Sequence, residues 1–160
     1  MNREQKTRAP VVDALDVEPN RGSNYPEPFR GRVAKRAKRK LGDALGLKNF
    51  GVNLTTLAPG AQSALRHWHA LQDEFVYVLS GELVLITDAG EETLGAGMAA
   101  GFPAGTPDAH HLVNRSASDA TYLEVGDRTP GDGVTYPNDD LEARMKDGRW
   151  SFTRKDGTPY

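Results

Sequence analysis

From Phe50 onward, apolar and polar residues alternate in short runs, each closed by glycine, proline or a small polar cluster. A period of two over five or so residues is the signature of a half-buried strand rather than a helix. Strands are predicted at 52–57, closed by Ala58-Pro59-Gly60, then at 65–69 and 74–79. Ser80-Gly81-Glu82 turns the chain into a strand at 83–87, and Asp88-Ala89-Gly90 turns it again. Further strands follow at 92–94, 99–102, 110–113 and 121–125. Short strands at intervals of about ten residues indicate an all-β sandwich or barrel, and an eight-stranded jelly roll fits the count.

The pattern is weaker at both ends. Residues 1–30 read as an arm, because Pro10, Pro19, Pro26 and Pro28 break any helix and residues 11–15 make at most a short edge strand. Such an arm gains order only by lying on a larger surface, its own barrel or a neighbour's. Residues 31–160 form the domain proper, and 32–40 open it as a strand or a helical turn. Residues 126–140 read as loop, 141–146 as a short helix capped by Asn138, Asp139 or Asp140, and 150–153 as a last strand.

Composition narrows the class. A length of 160 residues suits one domain with a sizeable core. Cysteine is absent, which removes disulfides and thiolate metal sites. The N-terminus leads into no apolar segment of signal-peptide type, and the longest apolar run, 75–79, is far too short for a membrane span. The expectation is a soluble cytoplasmic protein with no membrane partner. Net charge is −2, unevenly spread: residues 30–40 hold seven of the 20 bases and no acid, leaving 13 bases against 22 acids elsewhere. Such a block suits an anionic partner, or a solvated element lying against acids of the same or a partner subunit. The run is short and lacks interleaved aromatics, so the second reading is preferred and no nucleic-acid partner is expected.

Candidate chemistry sits in two windows that hold all four histidines. In a strand His67 and His69 project from one face, ~7 Å apart along the backbone. Two imidazoles so placed can converge on one ion at ~2.1 Å each, and Glu74, five residues on, can supply a carboxylate. His110 and His111 lie beyond intervening strands, where a returning sheet can set one of them opposite the pair. By alternation Ser63, Leu65, Val76, Val78 and Leu112 face inward with the site, a mostly apolar wall, while Arg66, Trp68 and Tyr77 face away. No second catalytic group is evident.

Gly60, His67, His69, Glu74 and Gly81 resemble the first motif of the cupin superfamily, and Gly97, Pro103, Gly105, His110 and Asn114 resemble the second. Together these motifs span residues 60–114. The flanks, through 51–54, 102–105 and 156–160, are similar to small bacterial single-domain cupins, some of which carry a provisional sugar-phosphate isomerase label. Two spacings depart from the pattern. Six residues separate Gly60 from His67, and four rather than two separate Gly105 from His110, so that Asp108 takes the position counted from the glycine. His110 keeps the spacing to Asn114, which favours it over His111 as a ligand.

The resemblance implies a jelly-roll barrel holding one divalent transition metal (Fe, Mn, Ni, Co, Cu or Zn) on His67, His69, Glu74 and His110, with open positions for a small-molecule ligand or substrate. It implies an isomerase, lyase or dioxygenase acting on a small polar metabolite. The alternative is a non-catalytic small-ligand-binding or sensory cupin. A homodimer is expected by the same analogy.

Overall fold

A computed structural model describes residues 10–160 of the chain; the first nine residues of the arm lie outside the described residues. Thirteen strands, β1 to β13, are present among the described residues, with one short helix, α1. The larger face of the barrel is a six-stranded antiparallel sheet. Its order is β1 (Pro19–Asn20), β2 (Arg36–Lys40), β3 (Phe50–Leu57), β10 (Ala120–Asp127), β5 (Glu74–Ser80) and β8 (Ala99–Phe102).

The opposite face is built from two smaller sheets. One has the order β7 (Gly90–Gly95), β6 (Glu82–Thr87), β9 (His111–Val113), and the other β13 (Arg149–Thr153), β12 (Leu141–Lys146), β11 (Gly133–Tyr136), β4 (Trp68–His69). The segment leading into β4 stitches them together. Gln62 lies opposite Val113 and His67 opposite His110, the latter pair exchanging backbone hydrogen bonds of 2.9 and 3.2 Å. Ser63 N donates to Leu112 O, so four residues of one strand are spanned where the other spans two. The extra residues make a bulge, which re-aims the strand just before the histidine pair.

Alternation supplies the interior. Val76, Val78, Leu57, Leu83, Leu85, Leu94, Leu112 and Tyr122 form one buried cluster, and Phe29, Leu65, Val134, Tyr136, Leu141 and Ala143 a second. Each large side chain removed from water in this way contributes roughly 1.5–3 kcal/mol. Gly81 makes the β5–β6 turn possible: its φ is +78°, and a Cβ there would meet Ala120 Cα at 2.8 Å. Only glycine fits that corner.

Several predicted elements differ: residues 65–69 are strand only at Trp68–His69, and residues 11–15 lead into a 3₁₀ turn at Ala14–Asp16 in place of an edge strand. Residues 32–40 hold both alternatives, since a 3₁₀ turn at Arg30–Val33 precedes β2, and α1 (Leu41–Leu45) follows directly. Residues 126–140 contain β11 rather than loop alone. Residues 141–146 are strand, not helix. Leu141 and Ala143 are buried while Arg144 and Lys146 are exposed, a period of two that β11 and β13 complete on either side. Asp147 and Gly148, with φ of 51° and 73°, close the β12–β13 hairpin in the left-handed geometry that two-residue turns require.

The described part of the arm rests on its own barrel. Pro19 and Asn20 pair with Arg39 and Lys38, and the Arg39 guanidinium donates to the carbonyls of Leu15 and Val17. Tyr25 meets Tyr136 and Phe152 edge-on, and Phe29 is buried in the second cluster.

Candidate metal centre

Each ligand-type side chain is placed by a backbone constraint. His67 is fixed by its reciprocal bonds to His110, and His69 by the β4–β11 pairing with Val134. The loop from His69 to Glu74 is tied down nearly residue by residue. Ala70 N donates to Gly133 O, Leu71 N to the Asp132 carboxylate, Gln72 Nε2 to Thr129 O, and Asp73 accepts from Ala104 N. Glu74 then opens β5 opposite Phe102 and Gly126, pointing inward.

The result is a convergence on one carboxylate oxygen. His67 Nε2 lies 3.3 Å and His69 Nε2 3.5 Å from Glu74 Oε2, and ligand atoms of these three residues all lie within 4.8 Å of one another. His110 Nε2 stands 2.8 Å from the same oxygen. The other nitrogens of the first pair are committed. His67 Nδ1 is 2.7 Å from Leu65 O, and His69 Nδ1 is 2.5 Å from Asp132 Oδ2. A carbonyl can only accept, so His67 keeps a proton on Nδ1, and Nε2 is the nitrogen that faces Glu74: a donor to it when the ring is charged, a lone pair for an ion when the ring is neutral. The Asp132 carboxylate does the same for His69. The Phe102 ring lies flat on His110, centroids 3.5 Å apart, and fixes its plane. His110 Nδ1 is buried with no partner among the described residues.

The electrostatics fit a cation-binding donor set. Burial pushes Glu74 up, but the charge of His67 and hydrogen bonds from His110 and His67 outweigh it and hold the carboxyl well below its usual range. Burial pulls His67 down, and the Glu74 carboxylate reverses this to a net rise; the Lys38 ammonium is near enough to act in the other direction. Burial also lowers His110, partly offset by its bond to Glu74. An ionised carboxylate ringed by imidazole nitrogens suits a divalent first-row metal.

The four residues line one cavity of about 810 Å³ between the two faces of the barrel. Val76 and Leu112 also line it, and Ser63, Leu65, Val76, Val78 and Leu112 are all buried as parity predicts. His111 is turned away, half-buried with Nδ1 3.0 Å from Ala64 O. Asp108 is outside the donor group: it accepts from the Asp88 N–H at 2.8 Å and lines a small side pocket with His69, Glu74 and His110.

Two polar groups were not singled out from sequence. Asp132 is fully buried behind His69, in a stretch read as loop. Glu124 lies in β10 opposite Val76, two residues along from the position facing Glu74, and so points into the cavity. It accepts from the Lys38 ammonium, from Asn53 Nδ2 at 2.9 Å and from the Tyr122 hydroxyl at 3.3 Å. Burial pushes Glu124 up, but the Lys38 charge and the hydrogen bonds from Lys38 and Asn53 bring it below the usual carboxylate range. The signal was an acid on the same parity of β10 as the buried Tyr122.

An antiparallel β-barrel with an inward histidine–histidine–glutamate group defines a cupin, and comparison agrees. A cupin domain model matches residues 53–126. A structure from Silicibacter pomeroyi, described as a sugar phosphate isomerase of the cupin superfamily, superposes with a TM-score of 0.90 at 46% identity. The match covers 94% of this chain and 96% of that one. A protein from Acidithiobacillus ferrooxidans, with the same designation as a provisional one, gives 0.80 at 28% identity over 96% and 97%. A polyketide cyclase from Streptomyces resistomycificus, with a TM-score of 0.61 at 24% identity over 73% and 78%, shares the fold. No curated protein matches in sequence. The chain belongs to the cupin superfamily. No described helix is long and apolar enough to cross a membrane.

Proposed function

We propose that the protein is a metal-dependent isomerase of a small polar metabolite, with one divalent transition metal held by His67, His69, Glu74 and His110. The observation that carries this reading is the convergence of three imidazole Nε2 atoms on Glu74 Oε2 inside a cavity large enough for a small metabolite. The sugar phosphate isomerase designation of the Silicibacter pomeroyi relative supports isomerase over lyase or dioxygenase. A bound divalent metal would supply a Lewis acid that polarises a carbonyl or hydroxyl oxygen.

The chain's own residues supply the rest. Glu124, ionised and anchored by Lys38 and Asn53, is a carboxylate on the cavity wall outside the donor set. An aldose–ketose interconversion moves a proton between adjacent carbons, and Glu124 is the group to take it and return it one carbon along. His67 and His69, locked through Nδ1, hold their Nε2 atoms still, and the apolar wall of Val76 and Leu112 limits water.

Protein purified without chelators should hold about one equivalent of a divalent transition metal, and NMR of aldose and ketose phosphates should show interconversion. Glu124→Gln should cut turnover ~10²- to 10⁴-fold with metal content unchanged. Less than about a tenth of an equivalent of metal, even after reloading, would sink the site. Stoichiometric metal with sugar-phosphate binding but no turnover would favour the non-catalytic binding reading. A homodimer belongs to the same proposal, supported by the apolar outer face of the six-stranded sheet, where Phe75, Tyr77 and Leu79 are exposed.

A further inference from the structure

Six of the seven bases of residues 30–40 fall into two populations, with the exposed Lys35 outside both. Arg30 pairs with Glu27, Arg32 with Asp139, and Arg39 with arm carbonyls, all toward the outside of the barrel. Arg36, Lys38 and Lys40 alternate onto the other side of β2, opposite Leu57, Thr55 and Asn53 of β3, and line the metal-centre cavity. Lys38 is engaged by Glu124. Among the described residues neither Arg36 nor Lys40 has an ion-pair partner. Arg36 is 8% exposed, and its one hydrogen bond is from Nη1 to the carbonyl of Ser63.

A nearly buried guanidinium without a counter-ion is costly. It persists where its free donors meet an anion, and its planar fork matches phosphate or carboxylate oxygens two at a time. Charge decides between the two. On β2 and β10 three cations face one ionised acid, Glu124, a local excess of +2; Glu74, the other ionised acid inside the cavity, belongs to the metal donor set. At the rim Arg128 is paired with Asp43, while Asp127 lies on the outward parity of β10 and is closed on Thr129. A phosphate monoester carries about −1.5 to −2 at neutral pH and balances such a wall, whereas a carboxylate leaves half of it uncompensated.

We infer that Arg36 and Lys40, with Lys38 between them, form a phosphate subsite that anchors the phosphorylated end of the substrate across the cavity from the metal group. This rests on the isomerase reading for its substrate but not for its binding chemistry. The probe is therefore inorganic phosphate, titrated calorimetrically into the full chain, with acetate and an unphosphorylated sugar as comparison arms.

Wild type should bind phosphate better than acetate and bind the neutral sugar least. Arg36→Met should weaken phosphate binding about tenfold or more, and Lys40→Gln severalfold. His67→Ala, which removes a metal ligand, is the control for phosphate held by the metal instead of by the basic residues. Lys40 is exposed, so its variant reads the site even if Arg36→Met fails to fold. Phosphate affinity equal in wild type and Lys40→Gln, or lost in His67→Ala alone, overturns the subsite. Turnover of a sugar phosphate with phosphate binding insensitive to both basic positions would leave the isomerase reading standing without it. The converse, basic-site phosphate binding without turnover, would remove the isomerase reading alone.

Discussion

Asp132 does not itself line the cavity, yet it decides which nitrogen of His69 can bind an ion. One carboxylate oxygen takes His69 Nδ1 and the other the Leu71 N–H, so one buried acid orients both the ring and the loop behind it. Removing such a partner typically lowers metal affinity 10–100-fold. Asp132→Ala should do so in a chelator-competition titration, while His67→Ala or His69→Ala should abolish binding and His111→Ala should leave it nearly intact. Loss of metal in His111→Ala with retention in His110→Ala would reverse the choice of fourth ligand. The histidine pair and Glu74 were legible because their spacing is local and a strand turns it directly into a shared face. Asp132 and Glu124 were not, because each reaches the site by a pairing more than 45 positions away in sequence, between His69 and Val134 or Glu124 and Val76. Parity places a residue on a face but says nothing of which strand lies beside it.

At the scale of elements the hidden feature was the C-terminal hairpin. Leu141-Glu142-Ala143-Arg144-Met145-Lys146 has good intrinsic helix formers, and propensity pointed to helix. Pairing with β11 and β13 overrides that preference, and the Asp147-Gly148 turn was the readable sign of it. Gly148→Val places a β-branched residue at φ +73° and should cost about 1 kcal/mol or more, lowering the melting temperature by a few degrees with metal content unchanged. The Lys38–Glu124 pair joins β2 to β10 across β3, and its contribution depends on pH. The folded carboxyl is held below its ordinary value, so its stabilisation is complete above about pH 4.5 and is lost as pH falls through the lower folded value. Acid titration of thermal stability should show a shallower decline for Glu124→Gln than for wild type. Equal slopes would mean that the pair contributes nothing to the fold.

The described residues leave one face of the molecule uncovered. Phe75, Tyr77 and Leu79 of β5 alternate outward, Leu123 and Val125 of β10 lie beside them, and Val52 and Leu54 of β3 extend the surface. Phe75, Tyr77 and Leu79 are each 38–44% exposed, in a row along one non-edge strand of the sheet. A contiguous apolar sheet face of this kind marks an association surface. The described part of the arm does not cover it, and closes on β2 and on the Tyr136 cluster instead. A second copy applied face to face would be self-complementary under a two-fold axis, since the same residues meet on both sides. The chain mass is 17.4 kDa, and light scattering at micromolar concentration should therefore report about twice that value. Tyr77→Lys combined with Leu79→Lys sets like charges against each other across the axis and should shift the mass to the monomer. Metal content should survive the change, because both side chains point away from the cavity. A wild-type protein already monomeric at that concentration would leave the outer face without this role.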